Sequence, residues 1–365
     1  MNFAIVRYLI GWMLGIESIF LLLPALTAVI YGEAELPAYL TAAAISLAGA
    51  ALLCHRKPKN TRFYAREGYV TVALCWLVLA VIGALPFVLS REIPFFIDAL
   101  FETVSGFTTT GATILGDVEA LSHASMLWRC LTHWVGGMGV LVFMLIVLPL
   151  AGGQTIFLMR AESPGPAVSK MSPHMRDTAT ILYAIYFGLT VLQMILLLIG
   201  GMPFFDAICV SLGTAGTGGF GNWNDSIAHY NSAYLQNVIT VFMILFGINF
   251  SAYFLILTRK FRQAFRIEEI RVYLGVIFVF AGLIAFNVRP MFGSLRESFH
   301  HALFQVASII TTTGFSTVDF DQWPTFSRAL LVLLMFIGAC AGSTGGGIKC
   351  SRILLLGKSV KKEMM

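Results

Sequence analysis

The chain has 365 residues, of which 58% are hydrophobic and only 12% are charged, and its formal net charge is +5. Soluble globular domains carry roughly 25% charged residues, so this composition excludes a disordered chain and argues against a soluble enzyme. The mean hydropathy of +0.82 indicates a polytopic membrane protein. No Ser/His/Asp or Cys/His arrangement and no phosphate-binding GxxxxGK[ST] run stands out, so we predict no enzymatic activity.

Eight apolar runs are long enough to cross a bilayer as helices. About 20 residues span the hydrocarbon core, and lipid offers unpaired backbone no hydrogen-bond partner. The runs cover residues 8–31, 36–54, 68–90, 124–150, 177–200, 233–258, 271–288 and 326–356. The first run is too long for the core of a signal peptide, so we expect it to remain in the membrane.

Basic residues concentrate in alternate loops. Of the 24 Lys and Arg residues, 19 lie at the N-terminus, in residues 55–67, 160–176 and 259–271, and after residue 348. Positive charge is retained on the cytoplasmic side, so this asymmetry predicts that both termini are cytoplasmic. An even number of spans agrees with that orientation.

Three segments between predicted spans align over 17 columns without a gap and form an internal repeat. They are Ile97–Thr113 (IDALFETVSGFTTTGAT), Phe205–Gly221 (FDAICVSLGTAGTGGFG) and His300–Ser316 (HHALFQVASIITTTGFS). Their shared glycines, which lie 108 and 95 residues apart, are Gly111, Gly219 and Gly314. Repeats of this kind in a membrane protein usually build one site around a pseudo-symmetry axis.

Each repeated segment predicts a short helix followed by an extended Thr/Gly run. Eleven residues such as Ile97–Phe107 span only about 16 Å, roughly half a bilayer, so the helix must be re-entrant. Backbone carbonyls of the following run can replace the water shell of a cation, and none of the three runs contains Lys or Arg. The candidate ion-binding residues are Thr109, Thr110, Gly111, Thr217, Gly218, Gly219, Thr312, Thr313 and Gly314. The alternative interpretation is that the runs are seams of helix packing.

A glycine cluster, Gly342–Gly347, interrupts the last predicted span. Glycine is about 1 kcal/mol worse than alanine inside a helix, so four glycines in six residues predict local unwinding. The alternative is a kink that serves packing only.

Acidic residues cluster near the outer ends of the spans, where carboxylates would concentrate cations. They are Asp98, Glu102, Asp117, Glu119, Asp206, Asp225, Asp319 and Asp321. The alternative for any of them is ordinary loop charge or helix capping, which we favour for Asp98 and Asp206. His300 and His301 are adjacent and would face apart on a helix, so we predict no transition-metal site.

These runs resemble a known family. The segments TTTGAT and TTTGF after half-helices, Trp134–Gly139 (WVGGMG) and Gly342–Lys349 (GSTGGGIK) are similar to the Trk/Ktr/HKT potassium transporter superfamily. The helix pair before the first repeat matches the TrkH branch. The resemblance implies an all-α polytopic membrane protein with helix–re-entrant pore helix–filter loop–helix repeats around a pseudo-fourfold pore.

The resemblance also implies functions for particular residues. The column of Gly111, Gly219 and Gly314 would be the selectivity filter, with potassium as transported ligand and no cofactor in this chain. In plant relatives a serine at the first of these columns accompanies sodium selectivity, whereas this chain has glycine at all three. The implied gate is an intramembrane loop that comprises Gly342, Ser343, Thr344, Gly345, Gly346, Gly347 and Lys349.

The implied organisation extends along the whole chain. It comprises an N-terminal helix pair (1–54), a basic cytoplasmic loop (55–67) and three pore repeats (68–160, 161–258 and 259–365), the third with a broken inner helix. Family members carry four repeats, and the fourth filter glycine would fall beyond Met365. We therefore expect a C-terminally truncated member that lacks the fourth repeat.

The implied setting is the bacterial cytoplasmic (inner) membrane. The expected assembly is a homodimer above a cytoplasmic NAD- and ATP-binding subunit of the TrkA type, with no nucleic-acid partner. We predict potassium uptake; the alternatives are a secondary carrier for another cation or small solute, and a non-conducting fragment. The sequence leaves open whether transport is that of a channel or of a proton- or sodium-coupled symporter.

Overall fold

The computed structural model describes residues 1–59, 64–139 and 175–364, and within these ranges the chain is helical, with no strand. The helices are α1 (Phe3–Tyr31), α2 (Leu36–Cys54), α3 (Ala65–Ser90), α4 (Phe96–Phe107), α5 (His123–Gly137), α6 (Met175–Ile199), α7 (Phe204–Gly216), α8 (Ala233–Phe246), α9 (Phe250–Leu257), α10 (Phe261–Phe265), α11 (Glu268–Val288), α12 (Leu295–Ile310), α13 (Thr325–Phe336) and α14 (Cys350–Met364). The described residues form two compact units that divide within α6, between Thr180 and Ile181.

Five of the eight predicted spans are confirmed as single helices. Among the described residues α1, α2, α3, α6 and α11 are long and apolar enough to cross a membrane. The fourth predicted span lies partly outside the described residues, which show α5 as far as Gly137. The boundary between the first two predicted repeats, at residue 160, also lies outside them.

The prediction of one continuous helix over residues 233–258 was wrong. The segment forms α8 and α9, which are bent by 94° relative to each other. Asn249 begins the new helix by accepting a hydrogen bond from Ser251 N–H at 2.8 Å on its side-chain oxygen, as N-cap residues do. The backbone groups freed at the break are paired elsewhere, because the Gly247 carbonyl accepts from Cys340 N–H at 3.0 Å.

The predicted unwinding of the last span is confirmed, although it begins earlier than the glycine cluster. Helix α13 ends at Phe336 and α14 starts at Cys350. Between them Gly338 N–H donates to Ile348 O at 2.8 Å, which closes the non-helical segment onto itself. We call residues 337–349 the glycine-rich segment.

In the first unit, α1 and α2 pack along a seam of small residues. Ser18 Oγ donates to Ala43 O at 3.0 Å, and Ser46 Oγ donates to Leu14 O at 2.8 Å. Small side chains allow membrane helices to approach closely, and their hydroxyls then reach the neighbouring backbone. Helix α1 also packs against α3 and α5, and α4 packs against α3 and α5.

In the second unit, α11 is the central helix. Its buried residues recur at helical spacing on one face: Tyr273, Ile277, Ala281 and Ile284, each 0% exposed. This face packs against α12, α13 and α14. Helix α11 therefore contacts both the third half-helix and the two halves of the broken last span.

Candidate functional site

The three predicted half-helices are α4, α7 and α12, and all three end in the same way. At the end of α4, Thr109 N–H donates to Gly106 O at 3.0 Å and Thr110 N–H donates to Ser105 O at 2.9 Å. The same pair of bonds ends α7 and α12, with distances between 2.9 and 3.1 Å. This pattern is the Schellman motif, which turns the chain away from the helix axis.

The residue that turns the chain is a threonine in each repeat. Thr109, Thr217 and Thr312 have φ values of 53°, 52° and 59°. A β-branched residue rarely adopts this left-handed conformation, and each instance costs about 1–2 kcal/mol. The sequence analysis named these three threonines as candidate ion-binding residues but did not predict their left-handed torsion.

Two residues beyond each threonine lies the shared glycine, which is also left-handed. Gly111, Gly219 and Gly314 have φ values of 76°, 83° and 88°. Glycine adopts this conformation without steric cost. The backbone path of one repeat is therefore reproduced in the other two, and the candidate ion-binding residues lie on these three paths.

The runs of the second and third repeats lie side by side within the second unit. A Cβ added at Gly219 would lie 2.1 Å from the Thr313 carbonyl oxygen. The Ser316 carbonyl accepts from Ile227 N–H and Ala228 N–H, each at 3.1 Å. The two runs are thus in direct backbone contact, and the Ser316 carbonyl adds hydrogen bonds beyond the column of shared glycines.

In the first repeat, Glu102 is buried and ion-paired, so it is not an exposed carboxylate that could concentrate cations. Its carboxylate is 0% exposed and pairs with Arg129 Nε of α5 at 2.7 Å. Thr113 Oγ1 donates to Glu102 at 3.0 Å, and Ile114 N–H donates to the second carboxylate oxygen at 3.0 Å. This buried pair fastens the residues after Gly111 to α4 and α5.

In the second repeat Asp206 likewise binds the chain that follows the shared glycine. We had favoured a structural role for this residue, as a helix cap, over one in attracting cations. The Asp206 carboxylate accepts from Asn222 Nδ2 at 2.7 Å and from Tyr230 Oη at 2.7 Å. Burial and the bond to Asp206 raise the pKa of Tyr230 above its ordinary value, so the phenol remains a donor. The chain after Gly219 is thereby tied to α7.

The glycine-rich segment contacts the break between α8 and α9. Phe250 N–H donates to Gly342 O at 2.9 Å, and Thr344 Oγ1 donates to Phe246 O at 3.2 Å. Each interrupted helix thus supplies partners for the backbone groups that the other leaves open, as buried backbone requires.

The same segment touches the third extended run. Gly346 N–H donates to Thr312 Oγ1 at 2.7 Å, and a Cβ added at Gly345 would lie 3.0 Å from Thr311 O. Lys349, the last residue of the segment, donates from Nζ to the Gly345 carbonyl and so links the end of the segment to its middle. The predicted gate residues Gly342, Ser343, Thr344, Gly345, Gly346, Gly347 and Lys349 all lie in this segment.

Glu269, which the sequence analysis did not consider, joins the glycine-rich segment to the first turn of α14. Its Oε1 atom, in the first turn of α11, accepts from Ala341 N–H at 2.7 Å and from Ser351 N–H at 3.0 Å. A carboxylate that bonds two N–H groups is a strong acceptor, because hydrogen bonds to charged groups are about twice as strong as neutral ones.

Comparison with known proteins identifies the family. The TrkH family model, described as a cation transport protein, matches residues 38–281 and 279–365. The Trk system potassium uptake protein TrkH of Salmonella typhimurium is 37% identical over 371 residues, which cover 100% of this chain and 77% of that protein. The chain belongs to the TrkH family.

Further relatives agree with this assignment to the TrkH family. The Trk system potassium uptake protein TrkG of Escherichia coli is 33% identical, with 99% of this chain and 75% of TrkG covered. The crystal structure of the potassium transporter TrkH from Vibrio parahaemolyticus superposes with a TM-score of 0.88 at 31% identity, covering 100% of this chain and 76% of that one. This TrkH-family chain is therefore an integral membrane protein with the helical fold of that structure.

Proposed function

We propose that the protein takes up potassium ions across the cytoplasmic (inner) membrane through a carbonyl-lined selectivity filter. The observation that carries this proposal is the threefold recurrence of one backbone path, left-handed at a threonine and again at the glycine two residues later. If the three runs served only helix packing, they would not need the same strained, left-handed torsions. Runs whose carbonyls surround one ion need the same backbone path, and therefore the same torsions. The relatives' names, which describe potassium uptake, support the choice of ion.

The filter ligands in this proposal are backbone carbonyls of the nine candidate residues, Thr109 to Gly111, Thr217 to Gly219 and Thr312 to Gly314. Carbonyl oxygens replace the water shell of potassium without fixed negative charge. Each half-helix ends at its run, so its C-terminal partial negative charge favours a cation there.

The glycine-rich segment is the gate in this proposal. It contacts the third filter run through Gly346 and Thr312, so a change in its path changes the space next to the filter. Its backbone is non-helical over 13 residues and is held by single hydrogen bonds at intervals, which permits movement without unfolding a helix.

The proposed membrane orientation rests on the distribution of basic residues, and the proposed assembly rests on the family. The concentration of basic residues in alternate loops supports a cytoplasmic location for both termini. The relatives are named as parts of a Trk system, and we propose that this chain likewise acts as a homodimer with a cytoplasmic nucleotide-binding subunit of the TrkA type. Transport rather than enzymatic chemistry is the proposed activity.

Gly314→Ser tests the filter. We expect rubidium uptake to persist with weaker discrimination against sodium, because serine strains a backbone at φ 88° and perturbs the carbonyls on either side. The measurement is competition of sodium with rubidium uptake in cells that lack their own potassium uptake, with the protein expressed from its complete natural reading frame.

Gly282→Ala on α11 is the control for that experiment, because nothing lies within 4 Å of the added Cβ. Its uptake and selectivity should match those of the unmodified protein. Selectivity unchanged in Gly314→Ser, with equal amounts of protein in the membrane, would count against the filter assignment.

Glu269→Ala tests the gate. The change leaves the N–H groups of Ala341 and Ser351 without their acceptor, and one hydrogen bond to a charged group contributes about 1.5–3 kcal/mol. We expect basal rubidium flux into vesicles to rise about tenfold, since 1.4 kcal/mol corresponds to a factor of ten in an equilibrium.

Glu268→Ala is the matched control for the gate, one residue away on α11. Glu268 is exposed and pairs with Lys358, an ion pair at the surface that contributes little. Basal flux should stay at the level of the unmodified protein. Equal flux in the Glu269 and Glu268 variants would show that the segment does not restrict the pathway.

A further inference from the structure

A single acidic residue lies at the centre of α1. Glu17 is the fifteenth of the 29 residues of this helix and is 3% exposed. Neither carboxylate oxygen has a hydrogen-bond partner among the residues that the structure describes. An ionisable group at mid-membrane depth is costly and is normally paired, so an unpaired one calls for a function.

The Glu17 side chain lines a small cavity in the first unit. The cavity measures about 20 Å³, and a cavity of roughly 10–15 Å³ already holds one water molecule. Its other walls are apolar side chains of α1 together with Leu79, Phe107, Trp128 and Val135. The Trp128 Nε1–H group is already bonded to Gly83 O at 2.9 Å, so it is not directed at Glu17.

Among the described residues that line the cavity with Glu17, none has a cationic side chain. On α5, Arg129 pairs with Glu102 and His133 bonds the backbone of Ser105. On α2, Tyr39 bonds Ser125 and Cys54 bonds the Tyr8 carbonyl. On α3, Cys75 does not line the cavity, where Leu79 does.

An unpaired carboxylate in such surroundings would cost many kcal/mol of lost solvation, so the neutral, protonated acid is the stable form. A protonated carboxyl group has one O–H donor and keeps acceptor capacity. One water molecule in the cavity can accept from that donor and return a hydrogen bond. The observed space and chemistry fit one proton and one water molecule.

We propose that Glu17 and this cavity form a buried proton-and-water site whose occupancy controls the position of the first filter run. The second half of the proposal rests on the proposed function. Loss of the proton creates a carboxylate that requires more water than the cavity holds, so its walls must move apart. One of those walls is Phe107, the last residue of α4, which directly precedes Thr108.

Phe107 is well placed to transmit such a movement. Its ring packs edge-on against Trp76 and Trp128, with centroid distances of 6.3 and 6.2 Å. A Cβ added at Gly136 of α5 would lie 2.1 Å from the Phe107 carbonyl oxygen, so the two backbones are in contact. A close-packed wall cannot absorb a displacement locally and passes it to its neighbours.

Infrared spectroscopy of the protein in lipid vesicles tests the proton. We expect a carbonyl stretching band of a protonated carboxyl group in an apolar environment at neutral pH, absent in Glu17→Gln and shifted after exchange into D2O. Glu363→Gln, the same substitution at an exposed carboxylate of α14, should retain the band. Glu17→Leu, which needs no polar partner, should lose it as well.

A band that persists in Glu17→Gln and Glu17→Leu, or one that is missing from the unmodified protein, would overturn the site. A band that fails to shift in D2O would overturn exchange of the proton with water. Neither result depends on transport.

Rubidium uptake by the same vesicles tests the link to the filter. The protonated form is the packed one, so uptake by the unmodified protein should fall several-fold as the pH rises from neutral to alkaline. Glu17→Gln, which mimics the protonated acid, should keep its uptake across that range, and Glu363→Gln should follow the unmodified protein. Identical pH profiles for all three would overturn the link. Failure of the filter proposal shows separately, as unchanged selectivity in Gly314→Ser.

Discussion

Replacing Gly219 by alanine should abolish rubidium uptake while leaving the protein in the membrane. The added Cβ would lie 2.1 Å from the Thr313 carbonyl oxygen, a backbone atom that cannot rotate away as a side chain could. The φ of 83° adds strain of about 1–2 kcal/mol for any residue with a Cβ. The variant must therefore separate the extended runs of the second and third repeats, and uptake in cells without their own potassium uptake measures the result.

Gly221→Ala is the matched control, two residues further along the same run. A Cβ there would meet only the edge of the Phe315 ring, at an ordinary contact distance of 3.7 Å, and the φ of Gly221 is not in the left-handed region. We expect uptake within a few-fold of the unmodified protein. If Gly219→Ala transported as well as Gly221→Ala, the close contact between the two runs would not be part of the pathway.

The sequence was sufficient to predict the half-helices and the runs that follow them. An apolar segment of 11 residues cannot span a bilayer, and three aligned copies removed the ambiguity that one copy would leave. Glycines at Gly111, Gly219 and Gly314 indicated where the backbone leaves ordinary torsions. The structure shows that Thr109, Thr217 and Thr312 also have left-handed φ values. Residue preferences do not predict this conformation for a β-branched side chain.

Other features depend on partners that the local sequence does not specify. The bend after Phe246 is stabilised by bonds to Cys340 and Gly342, nearly 100 residues away, so hydropathy alone predicted one continuous helix. Nothing in the local sequence distinguishes Glu269 from an ordinary charge near the end of a span. Glu17, in the middle of an apolar run, was the signal that could have been used, because acidic residues inside spans are seldom incidental.

Glu102 is the clearest case of a residue whose partner the local sequence does not specify. Its position in the first repeat suggested a carboxylate near the outer ends of the spans, and Arg129 lies in the fourth predicted span. Only the fold shows that the two charges neutralise each other at 2.7 Å. Opposite charges in two neighbouring apolar segments are the sequence signal for such a pair, since a buried charge needs a partner.

Removing one member of this pair should have the largest effect on stability. Glu102→Ala leaves the guanidinium of Arg129, which is 2% exposed, without its counter-charge, and breaking a buried ion pair in this way costs about 3–5 kcal/mol. It also takes the acceptor from Thr113 Oγ1 and Ile114 N–H. We expect a clearly lower midpoint of thermal unfolding in detergent and loss of rubidium uptake.

Glu119→Ala and a double variant separate charge burial from the mere loss of a carboxylate. Glu119 lies in the connection between α4 and α5 and is exposed, so its removal should change the free energy of unfolding by less than about 0.5 kcal/mol. In Glu102→Gln/Arg129→Met no charge is buried, and the glutamine oxygen can still accept from Ile114 N–H. The double variant should therefore be more stable than Glu102→Ala and recover part of the uptake. If all three variants unfolded at the same temperature, the buried pair would contribute nothing to the stability of the first extended run, and the carboxylate of Glu102 would be equivalent to a surface charge.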